Sequence, residues 1–250
     1  MEMLLTVMRD ASNLSLKMIY ALHGAVGEAS DWNALARDLK SEGHALARVD
    51  LWQYLACCPM PIADFGAKFN REINTKNPSL IGYSMGGRLA LHALIENPSL
   101  WSKAVIVSAD TGMTDAQQKR DRASKDAEWA ALALRGDWSA FLERWNAQAV
   151  LAGAGMPNRE NLHTRREQVA RSFMDWTVSQ QEDLLPELHK ITCPVLWVVG
   201  AHDTKFLKIA EKAVEALPNA QLLVLDEVGH RVPWEAADQF SQSVCTFLGK

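Results

Sequence analysis

The stretch SLIGYSMGGR, residues 79–88, carries the pattern that decides the fold of this chain. Residues 79–83 form a short apolar run typical of a buried strand, and residues 85–96 have a helical pattern. Between them lies the G-x-S-x-G motif of residues 82–86. A strand-to-helix turn strains the serine, and small neighbours let the backbone approach closely, so glycine on both sides has a mechanical reason. The motif predicts that the Ser84 hydroxyl projects above a sheet.

The same rhythm of strand, loop and helix extends in both directions from this motif. Further apolar, β-rich runs lie at residues 18–22, 45–51, 104–108, 195–200 and 221–225. Near-continuous apolar character is typical of strands that are buried on both faces. Helical patterns cover residues 31–40, 204–217 and 233–248. The alternation predicts an α/β fold with a mostly parallel sheet and helices on both faces.

Residues 110–190 break this rhythm, because they contain helical patterns but no convincing strand. We therefore predict a helical cap there, and an α/β core made of residues 1–109 and 191–250. The cap segment is rich in arginine and tryptophan. These residues fit either a solvated amphipathic surface with core tryptophans or a lid over the site. In a lid, the cationic groups would favour an anionic substrate.

A serine by itself is a poor nucleophile or base near pH 7, so the Ser84 motif predicts an acid and then a histidine further along the chain. His230 follows the last predicted strand, and Asp203 follows the strand before it. The alternative readings are a surface loop histidine for His230 and a helix N-cap for Asp203, with Asp110 as the reserve acid. His202 is interpreted as incidental.

Two backbone N–H groups are candidates for stabilising negative charge beside the serine. Met85 starts the helix that follows Ser84, and its N–H is expected to point from the helix N-terminus. Residues 23–27, HGAVG, follow the first strand and predict a second donor at Ala25. We interpret His23 as a structural hydrogen-bonding residue. Because the sequence has no nucleotide-binding or zinc-protease motif, it predicts neither a cofactor nor a metal.

Composition and charge favour a single soluble domain that acts on small molecules. The chain has 250 residues, of which 48% are hydrophobic and 22% charged, as in an ordinary globular protein. Its 26 basic and 30 acidic residues give a net charge of −4, which argues against nucleic acid as the main partner. The oligomeric state stays open.

No membrane partner is expected, because no apolar run reaches the roughly 18 residues of a membrane span. Glu2 stands where a signal peptide would carry basic residues, and this favours a cytoplasmic location. The cysteines at positions 57, 58, 193 and 245 lack metal-binding spacing and predict reduced thiols. We interpret the Cys57-Cys58 pair as packing beside a loop.

With these residues identified, the chain resembles the α/β-hydrolase superfamily along essentially its whole length. Within that superfamily it is similar to the 2-succinyl-6-hydroxy-2,4-cyclohexadiene-1-carboxylate synthases of menaquinone biosynthesis. The resemblance rests on four local matches: residues 82–88; residues 23–27 with Asp31-Trp32; residues 118–122, 128–129 and 145–148; and residues 203–206 with Gly229-His230.

This resemblance implies a carbon–oxygen lyase that eliminates pyruvate from an enol ether on a cyclohexene ring, with Ser84 as the base. Its substrate is small and carries several carboxylates, for which arginine is the suited binding partner. The substrate-binding residues it implies are Arg88 first, then Arg122 and Arg171 from the cap, with Tyr83 as a hydroxyl donor and Trp145 as a flat wall.

Two segments depart from that family's pattern, and two other functions remain as alternatives. Residues 52–61 replace a Pro-Gly-His-Gly-like turn, and residues 170–176 are bulkier than expected around Arg171. The first alternative is a serine carboxylesterase that forms an acyl-enzyme on Ser84. The second is a binding module without catalysis, which the presence of a complete serine, acid and histidine set disfavours.

Overall fold

A parallel β-sheet forms the centre of the chain. The computed structural model describes residues 16–153 and 157–249, so Glu2, on which the interpretation of the N-terminus rests, lies outside the described residues. Within them the sheet has six strands, all parallel, in the order β2-β1-β3-β4-β5-β6. The strands are β1 (Lys17–Leu22), β2 (His44–Val49), β3 (Ser79–Tyr83), β4 (Lys103–Val107), β5 (Val195–Gly200) and β6 (Ala220–Leu225).

Helices cover both faces of this sheet, as predicted. The α-helices are α1 (Asn33–Ser41), α2 (Ile62–Glu72), α3 (Met85–Glu96), α4 (Ala116–Arg135), α5 (Trp138–Asn146), α6 (Arg166–Asp175), α7 (Thr204–Ala216), α8 (Val232–Glu235) and α9 (Ala237–Gly249). Because successive side chains of a strand point to opposite faces, the strands supply two separate cores. Helices α2, α3 and α7 pack on one core, and α1 and α9 pack on the other.

The prediction that every strand is buried on both faces is wrong for two of them. Strands β3 and β5 are buried along their whole length, and β1 and β4 are buried beyond their first one or two residues, whereas most residues of β2 and β6 are half-buried or exposed. The reason is their position, because β2 and β6 are the two edges of the sheet. Hydrophobicity alone did not separate edge strands from central ones.

Several boundaries also differ from the sequence-based expectation. Residues 51–55 form a 3₁₀ turn after β2, and the preceding Asp50 caps it by accepting the Trp52 N–H. The predicted helix at 31–40 starts with a 3₁₀ turn before α1. The predicted closing helix at 233–248 is divided between α8 and α9, because Ala236 has a non-helical conformation (φ −134°, ψ 48°).

Between β4 and β5 the described residues form helices and no strand. We call residues 110–190 the insertion. Its longest helix, α4, packs against α6, and α6 in turn contacts the 3₁₀ turn at residues 51–55. That the insertion is a separate cap over the site stays a prediction.

The sheet order determines where a site can form. Strand β2 lies on one side of β1 and β3 on the other, so a crevice opens outside the carboxyl ends of the strands, where α/β proteins place their ligands. The loops that follow β1, β3, β5 and β6 all begin at this edge. In the part of the chain that the structure describes, no helix has the length and apolarity needed to cross a membrane.

Candidate active site

Ser84 occupies a strained turn between β3 and α3. Its backbone has φ 51° and ψ −112°, a conformation that non-glycine residues rarely adopt. The Ser84 N–H donates to the Val107 carbonyl at 2.8 Å, which ties the turn to β4. A Cβ at Gly86 would lie 2.3 Å from the Leu22 carbonyl oxygen, and one at Gly82 would lie 2.5 Å from the Gly86 carbonyl oxygen. Close backbone contact therefore requires glycine at both positions.

The structure brings Ser84, His230 and Asp203 into hydrogen-bond contact. His230 Nε2 lies 3.0 Å from Ser84 Oγ, and His230 Nδ1 lies 2.6 Å from Asp203 Oδ2. An Nδ1–H that donates to the Asp203 carboxylate leaves Nε2 as the acceptor for the serine hydroxyl. This geometry is the arrangement in which a histidine can take the serine proton.

The alternative roles considered for Asp203 and His230 do not describe their side chains. Asp203 does stand at the N-cap position of α7, but its side chain makes no capping hydrogen bond and contacts His230 instead. His230 is only 4% exposed, so it is not a surface loop histidine. Its ring packs between Tyr83 and Phe206, with ring centroids 5.6 Å and 4.5 Å away.

Asp110 and His202, the other two titratable residues named in the sequence analysis beside this set, interact with other partners. Asp110, the reserve acid, accepts hydrogen bonds from Lys205 Nζ at 2.8 Å and from the Gly112 N–H at 3.0 Å. His202 is exposed and lies 3.6 Å from the Glu227 carboxylate. Neither residue contacts His230 by a hydrogen bond in the described part of the chain.

His23 supports the loop after β1, as its structural interpretation predicts. The Leu51 N–H donates to His23 Nε2 at 3.3 Å, so the ring proton lies on Nδ1, which donates to the Gly24 carbonyl at 2.9 Å. Complete burial lowers the pKa of His23 to about 4, which keeps the ring neutral. The loop that includes Ala25 is therefore fixed against the turn after β2. Ala25 and Met85, the two predicted N–H donors, both line the same cavity as Ser84.

A cavity of about 300 Å³ opens above Ser84 and His230. Its wall contains six cationic side chains: Arg88, Arg122, Lys125, Arg159, Lys205 and Arg231. It contains three acidic side chains: Asp31, Asp110 and Asp126. The excess of positive charge over a partly enclosed volume favours an anionic ligand. Within residues 16–153 and 157–249, no group of three or more His, Cys, Asp or Glu side chains is arranged to hold a metal ion.

Four of the five predicted substrate-binding residues line this cavity: Tyr83, Arg88, Arg122 and Trp145. Arg88 is buried, and its guanidinium donates to Gln181 Oε1 at 3.0 Å and to the Trp176 carbonyl at 2.6 Å. Burial lowers the pKa of Arg88 to about 10, so it stays charged at neutral pH. Arg122 pairs with Asp126 at 2.8 Å.

Arg171 is the predicted residue that the structure does not bring to the cavity. Its guanidinium donates to the Leu55 carbonyl at 2.7 Å and to the Asp175 carboxylate at 3.2 Å. Asp175 also accepts the Met60 N–H at 3.1 Å. The hydrogen bonds of Arg171 and Asp175 thus join α6 to the loop at residues 55–60, and we therefore remove Arg171 from the site. In that loop Cys57 and Cys58 are exposed, which corrects their interpretation as packed side chains.

Sequence reasoning missed two buried arginines of the cavity wall. Arg159 comes from the insertion and pairs with Asp31 and Glu28. No local motif marks Arg159, because its partners lie more than 120 residues away. Arg231 directly follows His230, and this adjacency was a signal that could have identified it.

Comparison with known proteins agrees with this fold. The model of the alpha/beta hydrolase family matches residues 19–243. The 2-succinyl-6-hydroxy-2,4-cyclohexadiene-1-carboxylate synthase of Pectobacterium atrosepticum is 28% identical over 92% of this chain and 93% of its own length. The protein of the same name from Serratia proteamaculans is 26% identical, over 91% of each chain.

Solved structures support the fold in the same way. MenH from S. aureus superposes with a TM-score of 0.84 at 22% identity and covers 95% of both chains. An esterase from Exiguobacterium antarcticum has a TM-score of 0.72 at 18% identity, covering 94% of this chain and 92% of its own. The predicted fold is confirmed, and with 225 of its 250 residues inside the family match, the chain belongs to the alpha/beta hydrolase family.

Proposed function

We propose that this chain is a carbon–oxygen lyase that converts 2-succinyl-5-enolpyruvyl-6-hydroxy-3-cyclohexene-1-carboxylate into 2-succinyl-6-hydroxy-2,4-cyclohexadiene-1-carboxylate and pyruvate. The observation that carries the proposal is the contact of Ser84 with His230, 3.0 Å apart, at the base of a cavity rich in arginine and lysine. The relatives that bear the name of this synthase support it over nine-tenths of the chain.

In the proposed reaction Ser84 acts as a base. His230 Nε2 takes the hydroxyl proton, and Ser84 Oγ takes the proton from the ring carbon that carries the succinyl group. The released electron pair forms a double bond to the next ring carbon, the existing ring double bond shifts by one position, and the carbon–oxygen bond to the enolpyruvyl group breaks. The departing enolate gains a proton and becomes pyruvate. Asp203 stabilises the imidazolium that forms on His230.

Negative charge on the succinyl carbonyl oxygen develops as the proton leaves. The N–H groups of Ala25 and Met85 are the proposed donors to that oxygen, since both residues line the cavity beside Ser84. The Met85 N–H is the first of α3 and has no partner within the helix, which makes it available to a ligand. Both donors are held by fixed backbone, so they need no rearrangement when the charge appears.

The substrate has several carboxylates, and the cavity wall matches them. Arg88 is the principal proposed partner, because it is buried and its observed hydrogen bonds go to neutral oxygens. Arg122 is a second, from α4. Tyr83 and Trp145 also line the cavity, with Tyr83 proposed as a hydroxyl donor and Trp145 as a flat wall. A guanidinium offsets the cost of removing a carboxylate from water by forming charge-assisted hydrogen bonds.

The proposal includes the insertion as a cap and a cytoplasmic location. Residues from the insertion, such as Arg122 and Trp145, share the cavity with Ser84 from the core. The thiols of the cysteines in the described residues are free, which fits a reducing compartment. With a net charge of −4, nucleic acid is a poor partner, whereas a small anion fits the local positive charge.

The decisive experiment incubates the purified protein with the pyruvyl-ether substrate and follows pyruvate release. The wild type is expected to release pyruvate, and Ser84→Ala is expected to lose that activity while it keeps the wild-type circular dichroism spectrum. Asp203→Asn is expected to lower kcat by roughly 10³- to 10⁴-fold, because the histidine loses its orienting acid. A wild-type enzyme that releases no pyruvate overturns the proposal.

The second candidate function is a carboxylesterase. The same 3.0 Å contact between His230 and Ser84 would activate the serine as a nucleophile that forms an acyl-enzyme. Neutral p-nitrophenyl esters distinguish the two functions. Rapid turnover of p-nitrophenyl acetate together with no pyruvate release would favour the esterase.

A further inference from the structure

Arg231 lies beside the proposed base system and has no role in the chemistry described so far. It directly follows His230 and lines the cavity. Its backbone N–H donates to Glu235 Oε1 at 3.0 Å, and the Gly229 N–H donates to Glu235 Oε2 at 2.8 Å. The Glu235 carboxylate therefore holds the backbone on both sides of His230, and it forms no ion pair with the Arg231 guanidinium.

The Arg231 side chain is a buried cation that forms no ion pair with any residue the structure describes, although the nearby Glu235 carboxylate attracts it. Arg231 is 5% exposed. Its Nη2 donates to the amide oxygen of Asn146, and its Nη1 has no hydrogen-bond partner among the described residues. Burial also lowers the pKa of Arg231. A buried guanidinium with an unused donor is costly, because it has lost water and gained only one neutral acceptor in its place.

Most other cations of the cavity wall differ from Arg231 in this respect. Arg122 pairs with Asp126, Arg159 with Asp31, and Lys205 with Asp110. Arg88 has no acid but donates through both terminal nitrogens, to Gln181 and to the Trp176 carbonyl. Arg231 thus combines burial with a donor nitrogen that remains unpaired.

We propose that Arg231 binds a carboxylate of the substrate, with Asn146 orienting its guanidinium from the insertion. This inference rests on the proposed function, because it assigns the cation to that substrate. Asn146 is the last residue of α5 and lines the same cavity. A bound carboxylate would give the Arg231 guanidinium the direct ion pair that the described residues do not supply. Arg231 and Arg88 would then bind different carboxylates of one ligand.

The first test is the KM for the pyruvyl-ether substrate. Arg231→Met keeps a long side chain but removes the charge and the donors, and it is expected to raise KM by about 10- to 100-fold. Arg231→Lys keeps the charge and is expected to give an intermediate KM. Arg37→Met makes the same change at an exposed position of α1 and is the matched control, with a wild-type KM expected.

Thermal unfolding provides a second readout that a merely structural role would not reproduce. Without ligand, Arg231→Met is expected to have a higher Tm than the wild type, because an unpaired buried charge is removed. With the diene product, the wild type is expected to gain Tm by mass action. A loss of that gain in Arg231→Met places the residue on a carboxylate shared by substrate and product. A retained gain with a raised KM places it on the enolpyruvyl carboxylate.

The inference is overturned if Arg231→Met has a lower Tm than the wild type in the absence of ligand and an unchanged KM. Its failure is distinct from a failure of the proposed function, in which the wild type itself releases no pyruvate. In that second case, two esters replace the substrate, p-nitrophenyl acetate and the monoanionic p-nitrophenyl succinate. Arg231→Met should then lower the ratio of kcat/KM for the anionic ester over the neutral ester, and an unchanged ratio rejects carboxylate binding.

Discussion

Arg159 in the insertion and Asp31 in the turn before α1 form a buried ion pair that joins two distant parts of the chain. Both side chains are less than one tenth exposed. The second oxygen of Asp31 accepts the Glu28 N–H at 3.0 Å, and Glu28 itself pairs with Arg159 at 3.3 Å. Arg159 therefore fastens the insertion to the segment directly after the loop that carries Ala25. The pair links the cavity wall to the proposed oxyanion donor.

Breaking this pair should destabilise the protein strongly. Arg159→Met leaves the buried Asp31 carboxylate without its cation, so we expect the free energy of unfolding to fall by about 3 to 5 kcal/mol. The double variant with Asp31→Asn should be less damaging than the sum of the single variants by about 1 to 3 kcal/mol. Urea unfolding at pH 7 measures both quantities.

The exposed pair Lys190 and Glu187 provides the control for that experiment. Lys190→Met should change the free energy of unfolding by less than about 1 kcal/mol, because an exposed ion pair contributes little. Strict additivity of Arg159→Met and Asp31→Asn would show that the two residues stabilise the protein independently.

The strained backbone of Ser84 should be visible in stability measurements. Glycine adopts positive φ without steric cost, whereas alanine keeps the Cβ. We expect Ser84→Gly to be more stable than Ser84→Ala by about 1 kcal/mol, since relief of strain outweighs the added entropy of the unfolded chain. Both variants should be inactive. Equal stability of the two in thermal and urea unfolding would mean that the turn stores no strain.

Arg88 should determine preference for anionic substrates. Its guanidinium is buried and faces neutral oxygens, so a ligand carboxylate gives it its first acidic partner. Arg88→Met is expected to lower the ratio of kcat/KM for p-nitrophenyl succinate over p-nitrophenyl acetate by about 10-fold or more. Arg71→Met, on the exposed side of α2, is the matched control. A ratio that does not change would remove the main electrostatic support for the lyase.

The buried, neutral His23 should make the free energy of unfolding smaller in mild acid than at neutral pH. Its pKa is about 4 in the folded protein and 6.5 when exposed, so between these values the unfolded chain binds the extra proton. The free energy of unfolding therefore falls as pH decreases from 6.5 to about 4, by on the order of 3 kcal/mol. His92, whose pKa burial also lowers to about 4, adds to this slope.

Replacing the His23 ring separates its contribution to the pH dependence of stability from that of His92. His23→Gln should reduce the slope of stability against pH in that range and leave the contribution of His92. The exposed His163 is the comparison, and His163→Gln should keep the wild-type slope. The slope is the measured quantity, because His23→Gln also removes hydrogen bonds and lowers stability at every pH. A wild-type slope in His23→Gln would contradict the burial argument.

Local patterns in the sequence were sufficient for most of the fold. Apolar runs placed the six strands of the described residues, because a parallel sheet covered by helices on both faces is built from strands rich in apolar residues. The pattern at residues 62–72 also contained a signal, since Ile62, Phe65 and Phe69 recur at helical spacing and all are buried in α2. This helix was not predicted from the sequence.

In the candidate site too, local sequence patterns predicted some residues and not others. Ser84, Asp203 and His230 were found from their positions at strand ends, because a parallel sheet gathers those ends at one edge. The insertion offered no such rule. Arg171 and Arg159 both come from the insertion. Arg171 donates to the Leu55 carbonyl outside the cavity, whereas Arg159 lines the cavity and pairs with Asp31. Which way a helix of the insertion faces depends on its partners elsewhere in the chain.

By itself, the sequence determined the parallel sheet, the turn at Ser84 and the order of serine, acid and histidine. These features follow from hydrophobic period, glycine placement and chain direction, which are local properties. Only the tertiary structure decided that Arg231 is buried without an ion pair among the described residues and that Arg159 pairs with Asp31. Such contacts depend on groups that are far apart in sequence. The unpaired Nη1 of Arg231 can be recognised only when the positions of all its described neighbours are known.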